Sequence, residues 1–190
     1  MNLLDIMELK TKRLVLRELR ESDAKDITEN ANNKEVSKYL VAMPYPYSLE
    51  DAKKFILDCS KEAKKDPREG YDFGITLNGE GKVIGMISLE CINMFHETGT
   101  IGYWLGERHH RNGYMTEALE MMLEFSFNEI KLRKINIAAF AENVASNKLI
   151  NKVKFMPEGL RKEHVKDRAT GKFHDENIYG MLRRDYVKRK

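Results

Sequence analysis

The residues of this chain best suited to chemistry lie in one turn, His110-Arg111-Asn112-Gly113-Tyr114-Met115. Before it, Thr100-Ile101-Gly102-Tyr103-Trp104-Leu105 reads as a strand; after it, helical spacing predicts a helix from residue 116 to about 130. A glycine-bearing turn that opens a helix gathers backbone N–H groups with no carbonyl partner at the positive end of the helix dipole. Phosphate and pyrophosphate bind at such places. Spacing alone therefore implies an anion site, with a phosphorylated cofactor as one occupant. A strand at Lys134–Phe140 and a helix starting at Asn143 follow, so residues 98–155 read strand, turn, helix, strand, helix.

The rest of the chain must position that stretch. Residues 13–19 alternate and read as a strand. Ser22 offers an N-cap for a helix that Asn32-Asn33 interrupts, and residues 34–40 read as a second short helix. Met43-Pro44-Tyr45-Pro46-Tyr47 is extended loop, because each proline disfavours helix in the residue before it. Ser48 caps a third helix, with Ala52, Phe55, Ile56 and Cys59 on one face and an end at Asp66-Pro67. Residues 71–77 and 82–93 form a hairpin around Asn78-Gly79-Glu80-Gly81. In the helix after the turn, Ala118, Met121, Met122, Phe125 and Ile130 make a core stripe. Residues 158–165 and 173–182 close the chain as a hairpin. The order β-α-α-α-β-β-β-α-β-α-β-β predicts a mixed α/β layer fold.

Composition limits the function classes. With 190 residues the chain suits one domain, residues 1–190, with its core over about 11–182. Lys+Arg number 33 against 30 Asp+Glu, a net charge of +3, too balanced for a nucleic-acid partner. The basic end, Arg183 to Lys190, reads as a solvated tail. Cys59 and Cys91 have no metal or redox spacing and read as free thiols in a reducing compartment, which places the protein in the cytoplasm. No apolar run is long enough to span a membrane, and residues 1–10 lack a secretion signal's basic start. His109 and His110 make no ligand set, so no metal is expected.

Five strings in order carry a resemblance: Thr11-Lys12-Arg13-Leu14-Val15-Leu16-Arg17, Tyr45-Pro46-Tyr47-Ser48-Leu49-Glu50-Asp51-Ala52, Ile101-Gly102-Tyr103-Trp104-Leu105, Gly113-Tyr114-Met115-Thr116-Glu117-Ala118 and Glu142-Asn143-Val144-Ala145-Ser146-Asn147. From about Thr11 to Leu182 the chain resembles the GNAT N-acetyltransferase superfamily, in the branch of the RimJ/RimL ribosomal-protein N-acetyltransferases. The resemblance implies a sheet of about seven mostly antiparallel strands with helices on both faces. One parallel pair, ending near Leu105 and at Lys134–Phe140, should part at its C-terminal ends to admit a pantetheine arm. It implies acetyl-CoA as co-substrate, a primary amine as acceptor (a protein N-terminus among the candidates), and a monomer or homodimer. Five positions depart from the family pattern: His110 and Met115 in the turn, Ile150 where many members carry a proton-donating tyrosine, Lys154 where a Gly-Phe pair ends the helix, and Thr100 where an acidic residue often precedes Ile-Gly-Tyr. Bulky Met115 would crowd a phosphate.

The implied chemistry is attack of a neutral amine on a thioester. At neutral pH an α-amine gives up its proton for roughly 1–1.5 kcal/mol and a lysine for roughly 4.5 kcal/mol. The resemblance places the cofactor at Tyr103, Trp104, Leu105, His110, Arg111, Asn112, Gly113, Tyr114, Met115, Thr116, Asn143, Ser146 and Asn147. A backbone N–H near Tyr103 to Leu105 would meet the oxyanion. Ser146 would protonate the leaving thiolate, or else only cap its helix, and Asn143 is both an N-cap and a pantetheine neighbour. Glu97 and Asp175 are candidate bases, with Glu90 and His96 as further ones; Asp175 equally suits a structural role. Tyr39, Tyr45, Tyr47 and Phe95 would line an amine pocket or pack loops. Two other readings remain: a degenerate domain that binds CoA without transfer, and an interaction module with no cofactor.

Overall fold

The computed structural model describes residues 7–189. Its strands are β1 (Glu8–Lys10), β2 (Leu14–Arg17), β3 (Tyr71–Leu77), β4 (Val83–Asn93), β5 (Thr98–Leu105), β6 (Lys134–Phe140), β7 (Met156–Lys166) and β8 (Phe173–Leu182). They form one eight-stranded sheet in the order β1-β2-β3-β4-β5-β6-β8-β7, against about seven strands expected. β1 is the addition, a short edge strand paired to β2. Neighbours are antiparallel except β5 and β6. Their parallel ladder runs from Thr98 beside Lys134 to Ile101 beside Ile137 and stops, although β5 continues to Leu105 and β6 to Phe140. Beyond Ile101 each strand keeps its antiparallel partner, β4 or β8, so the sheet opens between them.

Helices cover both faces. On one face α4 (Tyr114–Glu124) and α5 (Val144–Lys152) bury Leu119, Met122, Leu123, Ile150 and Val153 against Leu16, Phe73, Ile87, Ile101 and Ile137. On the other, α1 (Ala24–Ala31) and α3 (Leu49–Glu62) bury Ile27, Ala31, Ala52 and Ile56 against Val83 and Met86, with Trp104 packed alongside. The predicted cap of α3 is present as a reciprocal pair: the Asp51 N–H donates to Ser48 Oγ at 3.1 Å, and the Ser48 N–H to Asp51 Oδ2 at 2.9 Å. No helix among the described residues is long and apolar enough to cross a membrane.

The structure departs from four sequence expectations. Ser22 caps nothing: residues 21–23 form a 3-10 turn, closed when the Arg20 N–H donates to Asp23 Oδ2 at 2.7 Å, and α1 begins at Ala24. Asp23 is committed there by a buried ion pair with Arg17 at 2.8 Å. The short helix expected over 34–40 is α2 (Lys34–Ser37), capped by Asn33. The helix after the turn begins two residues early, at Tyr114, and its last part is a π-helical turn over Phe125–Glu129. There the buried Ser126 hydroxyl bonds back to Met122 O at 2.7 Å, a local competitor of regular winding. The basic tail is not a solvated end. It forms α6 (Arg183–Lys188), with Tyr186 2% exposed against Phe127, and Arg189 bonded to Glu120 at 2.6 Å and to Val153 O at 2.7 Å. Residues 1–6 and Lys190 lie outside the described residues.

Candidate active site

The opening between β5 and β6 brings together two of the predicted elements, the turn before α4 and the start of α5. Arg111 and Gly113 both adopt left-handed backbone, φ 63° and 78°, and α4 begins at the next residue. That reversal lets the first-turn N–H groups of Tyr114, Met115 and Thr116 face outward, which a β-carbon at position 113 would strain. His110 anchors the turn to β5 by donating from Nε2 to Leu105 O at 2.8 Å, and Asn112 Nδ2 donates to His109 O at 3.2 Å and His110 O at 3.1 Å. The Met115 side chain is buried in the main core. It points away from the turn's outer surface, so the expected crowding does not arise.

Across the opening, the Asn143 side chain accepts from the Ser146 N–H at 3.1 Å and caps α5. Asn143 therefore does the capping, and the Ser146 hydroxyl lies 2.7 Å from the Tyr103 phenol. Burial, with the nearby Tyr179 adding to it and the Ser146 bond opposing it, pushes Tyr103 up to about 12, so the phenol stays protonated at neutral pH. Ile150 is fully buried in the core. The phenols near this helix thus come from β5 and β8, as Tyr103 and Tyr179, not from α5. Asn147 is fully engaged: its amide donates to Phe140 O at 2.9 Å and Asn143 O at 2.8 Å, and its oxygen accepts from Asn177 at 3.0 Å and Tyr179 at 2.6 Å. It struts α5 against β6 and β8.

Strand alternation sends Gly102 to the opposite face from Tyr103. A β-carbon at Gly102 would stand 3.2 Å from Glu90 Oε1 and 3.1 Å from Ser88 Oγ. Glu90 accepts a hydrogen bond from Ser88 Oγ, and Asp72 stands beside it. Burial first, then the charge of Glu90, raises Asp72 to about 6. On this face a cavity of about 190 Å3 is lined by Thr100, Asn136, Ala138 and Ile178 along with Glu158 and Arg161.

Of the three predicted catalytic residues, Ser146 lies at the opening, Asp175 lies just past the end of β6, where its carbonyl accepts the Ala141 N–H at 2.8 Å, and Glu97 lies away from it. Glu97 is exposed in the turn before β5, at the end where the two strands are still paired; its carbonyl accepts from Arg133 N at 2.8 Å and Lys134 N at 3.1 Å. The Asp175 carboxylate accepts the Glu163 N–H at 2.8 Å, where β7 is irregular. The proposed aromatic wall does not assemble: Tyr47 is buried in the second core, while Phe95 is 90% exposed. Sequence reasoning assigned Tyr103 through its backbone only and left out Asp72. Simple alternation from Trp104, a core side chain, would have sent the Tyr103 phenol toward α5.

A model of the acetyltransferase (GNAT) domain family matches residues 13–156. "Probable N-acetyltransferase YjcK" of Bacillus subtilis (strain 168) is 31% identical over 182 residues, covering 93% of this chain and 98% of the relative. The ribosomal-protein-serine acetyltransferase of Escherichia coli (strain K12) is 28% identical over 60% of this chain and 63% of its own. Among solved structures, the ribosomal-protein α-N-acetyltransferase RimL in complex with coenzyme A superposes with a TM-score of 0.81 at 21% identity, covering 93% of this chain and 98% of that one. With the opened parallel pair and the turn before α4, these matches make the chain a member of the GNAT acetyltransferase family, similar to its RimL-like branch.

Proposed function

We propose that the protein moves an acetyl group from acetyl-CoA to a primary amine, with acid and base held on opposite faces of the opened sheet. The observation that carries this is the pair of contacts at one point of β5: Tyr103 to Ser146 on the α5 face, and Glu90 above Gly102 on the other. The N–H groups at the start of α4 suit the donor's pyrophosphate, and the gap beyond Ile101 suits its pantetheine arm. The acceptor enters beside Glu90 and Asp72, where carboxylates favour a cationic amine. Glu90 takes the amine proton as the nitrogen bonds to the acetyl carbon. The carbon–sulfur bond breaks, and the Ser146 hydroxyl donates a hydrogen bond to the departing thiolate while the Tyr103 phenol donates one to Ser146 Oγ, so that the charge on sulfur is met without ionising the phenol. Neither Glu97 nor Asp175 has a part in this scheme. The fold hosts many acceptors, and a peptide α-amine, which needs the least help in deprotonation, suits a single modest base.

The test is release of CoA thiol from acetyl-CoA with N-terminal peptides, polyamines, amino acids and aminoglycosides as acceptors. Turnover on at least one is expected. Ser146→Ala should lower kcat and kcat/KM together by about 10²-fold with donor binding nearly unchanged. Glu90→Gln should cut kcat/KM most at low pH, where the amine most needs a base. Tight CoA binding with no turnover on any acceptor would instead support the degenerate domain, and no CoA binding by calorimetry would sink the proposal.

A further inference from the structure

Strand β2 brings a cation to the turn that no reading along the turn reveals. Arg13, just before β2, donates from Nε to Glu117 Oε2 at 2.7 Å and from Nη1 to Asn112 O at 2.9 Å. Its own N–H donates to Glu117 Oε1 at 2.8 Å, and Thr11 Oγ1 adds a bond to the same oxygen at 2.6 Å. The guanidinium carbon sits 4.8 Å from the centre of the Tyr114 ring. These contacts fix the plane of the guanidinium and leave one nitrogen over. Nη2 has no partner among the described residues, and it lies 3.4 Å from where a β-carbon on Gly113 would be. An ordered, uncommitted guanidinium nitrogen therefore faces the left-handed glycine that opens α4. Guanidinium is the side chain best matched to phosphate oxygens, and one already oriented loses little freedom on binding.

We propose that Arg13 binds a phosphate of the donor, with Nη2 joining the backbone N–H groups at the start of α4. This rests on the reading that the turn takes the donor's pyrophosphate. A residue 99 positions upstream of the turn's Asn112 would then discriminate CoA from its phosphate-free arm. Glu117 serves as the orienting partner, since it holds Nε and the Arg13 backbone and leaves Nη2 outward.

Calorimetry with CoA and with pantetheine, at low and high salt, tests it on the wild-type chain, Arg13→Gln and Arg13→Lys. For Arg13→Gln we expect CoA binding weaker by about tenfold, pantetheine binding within about twofold of wild type, and a smaller loss of CoA affinity on adding salt. Arg13→Lys, which keeps charge without the fork, should fall between and keep the wild-type salt dependence. Equal weakening for both ligands, or weaker CoA binding with unchanged salt dependence in Arg13→Gln, would show that Arg13 only braces the turn and would overturn the proposal. So would an unchanged CoA affinity. A wild-type chain that binds pantetheine and CoA equally would overturn the pyrophosphate reading itself, and Arg13 with it.

Discussion

Tyr103 and Ser146 have to be understood together. Asn143 satisfies the backbone at the start of α5, which leaves the serine hydroxyl available to the phenol. A phenol pushed up to about 12 keeps its proton across the working range, so in the proposed transfer it supports the serine while the serine supports the sulfur. Residues acting as one unit lose activity non-additively. Tyr103→Phe should therefore lower kcat by about tenfold, less than Ser146→Ala, because the serine keeps a weaker donor capacity on its own. The double variant should be no slower than Ser146→Ala by more than about twofold. Steady-state kinetics on the three variants decide; multiplicative losses would mean that the two side chains act separately.

At the scale of elements, the end of α5 explains a departure from the family pattern. Lys154 has left-handed backbone, φ 70°. The Phe155 N–H bonds to Ile150 O at 3.2 Å and the Lys154 N–H to Asn151 O at 3.0 Å, the paired bonds of a Schellman ending. Ile150 and Phe155 are both buried, supplying the apolar contact that accompanies this motif. The motif wants glycine at the left-handed position, and here a lysine occupies it with its side chain exposed. Lys154→Gly should stabilise the fold by about 0.5–1 kcal/mol, the left-handed penalty less the added freedom of an unfolded glycine. Chemical denaturation reads this directly. A destabilised variant would mean that the lysine side chain makes a compensating contact.

At the scale of the molecule, one histidine ties distant parts of the site together. His174 on β8 donates from Nε2 to Asp167 Oδ2 at 2.8 Å, pairs through Nδ1 with Glu142, and stacks on Phe140 at 4.3 Å. Glu142 adjoins the Asn143 cap of α5, and the hairpin tip reaches the loop after α2 where the Arg168 N–H donates to Val41 O at 3.1 Å. Burial opposes a charge on His174, but the bonds to Asp167 and Glu142 outweigh it and hold the imidazole above its ordinary value. Asp167 is held well below the usual carboxylate range: burial alone would raise it, and bonds from Thr170, His174 and Lys172 prevail. A raised histidine contributes stability in full below its unfolded value near 6.5 and loses it as pH climbs through the folded value. A depressed aspartate contributes above its unfolded value near 3.9 and loses it as pH falls through the folded one. The melting-temperature gap between wild type and His174→Gln should thus be widest near about pH 5–6 and narrow toward about pH 9. A gap that stays constant with pH would leave His174 as packing alone.

What the sequence determined by itself was local. Alternation placed the strands, with Tyr71–Leu77 and Lys134–Phe140 matched to the residue. The Ser48 capping box was readable because all its atoms belong to four consecutive residues. The position of the turn before α4 was legible for the same reason: one glycine, one helix start, one short strand end. The tail was misread because helix formation there depends on burying Tyr186 against Phe127, a contact that local charge does not show. Tertiary structure alone decided the rest of the site. Glu90 joins Gly102 across an antiparallel ladder, Tyr103 of β5 joins Ser146 of α5, and Arg13, just before β2, joins Asn112 in the turn before α4. Such pairings depend on register and on where β5 and β6 part, and both are set by the packing of two cores, not by neighbouring residues.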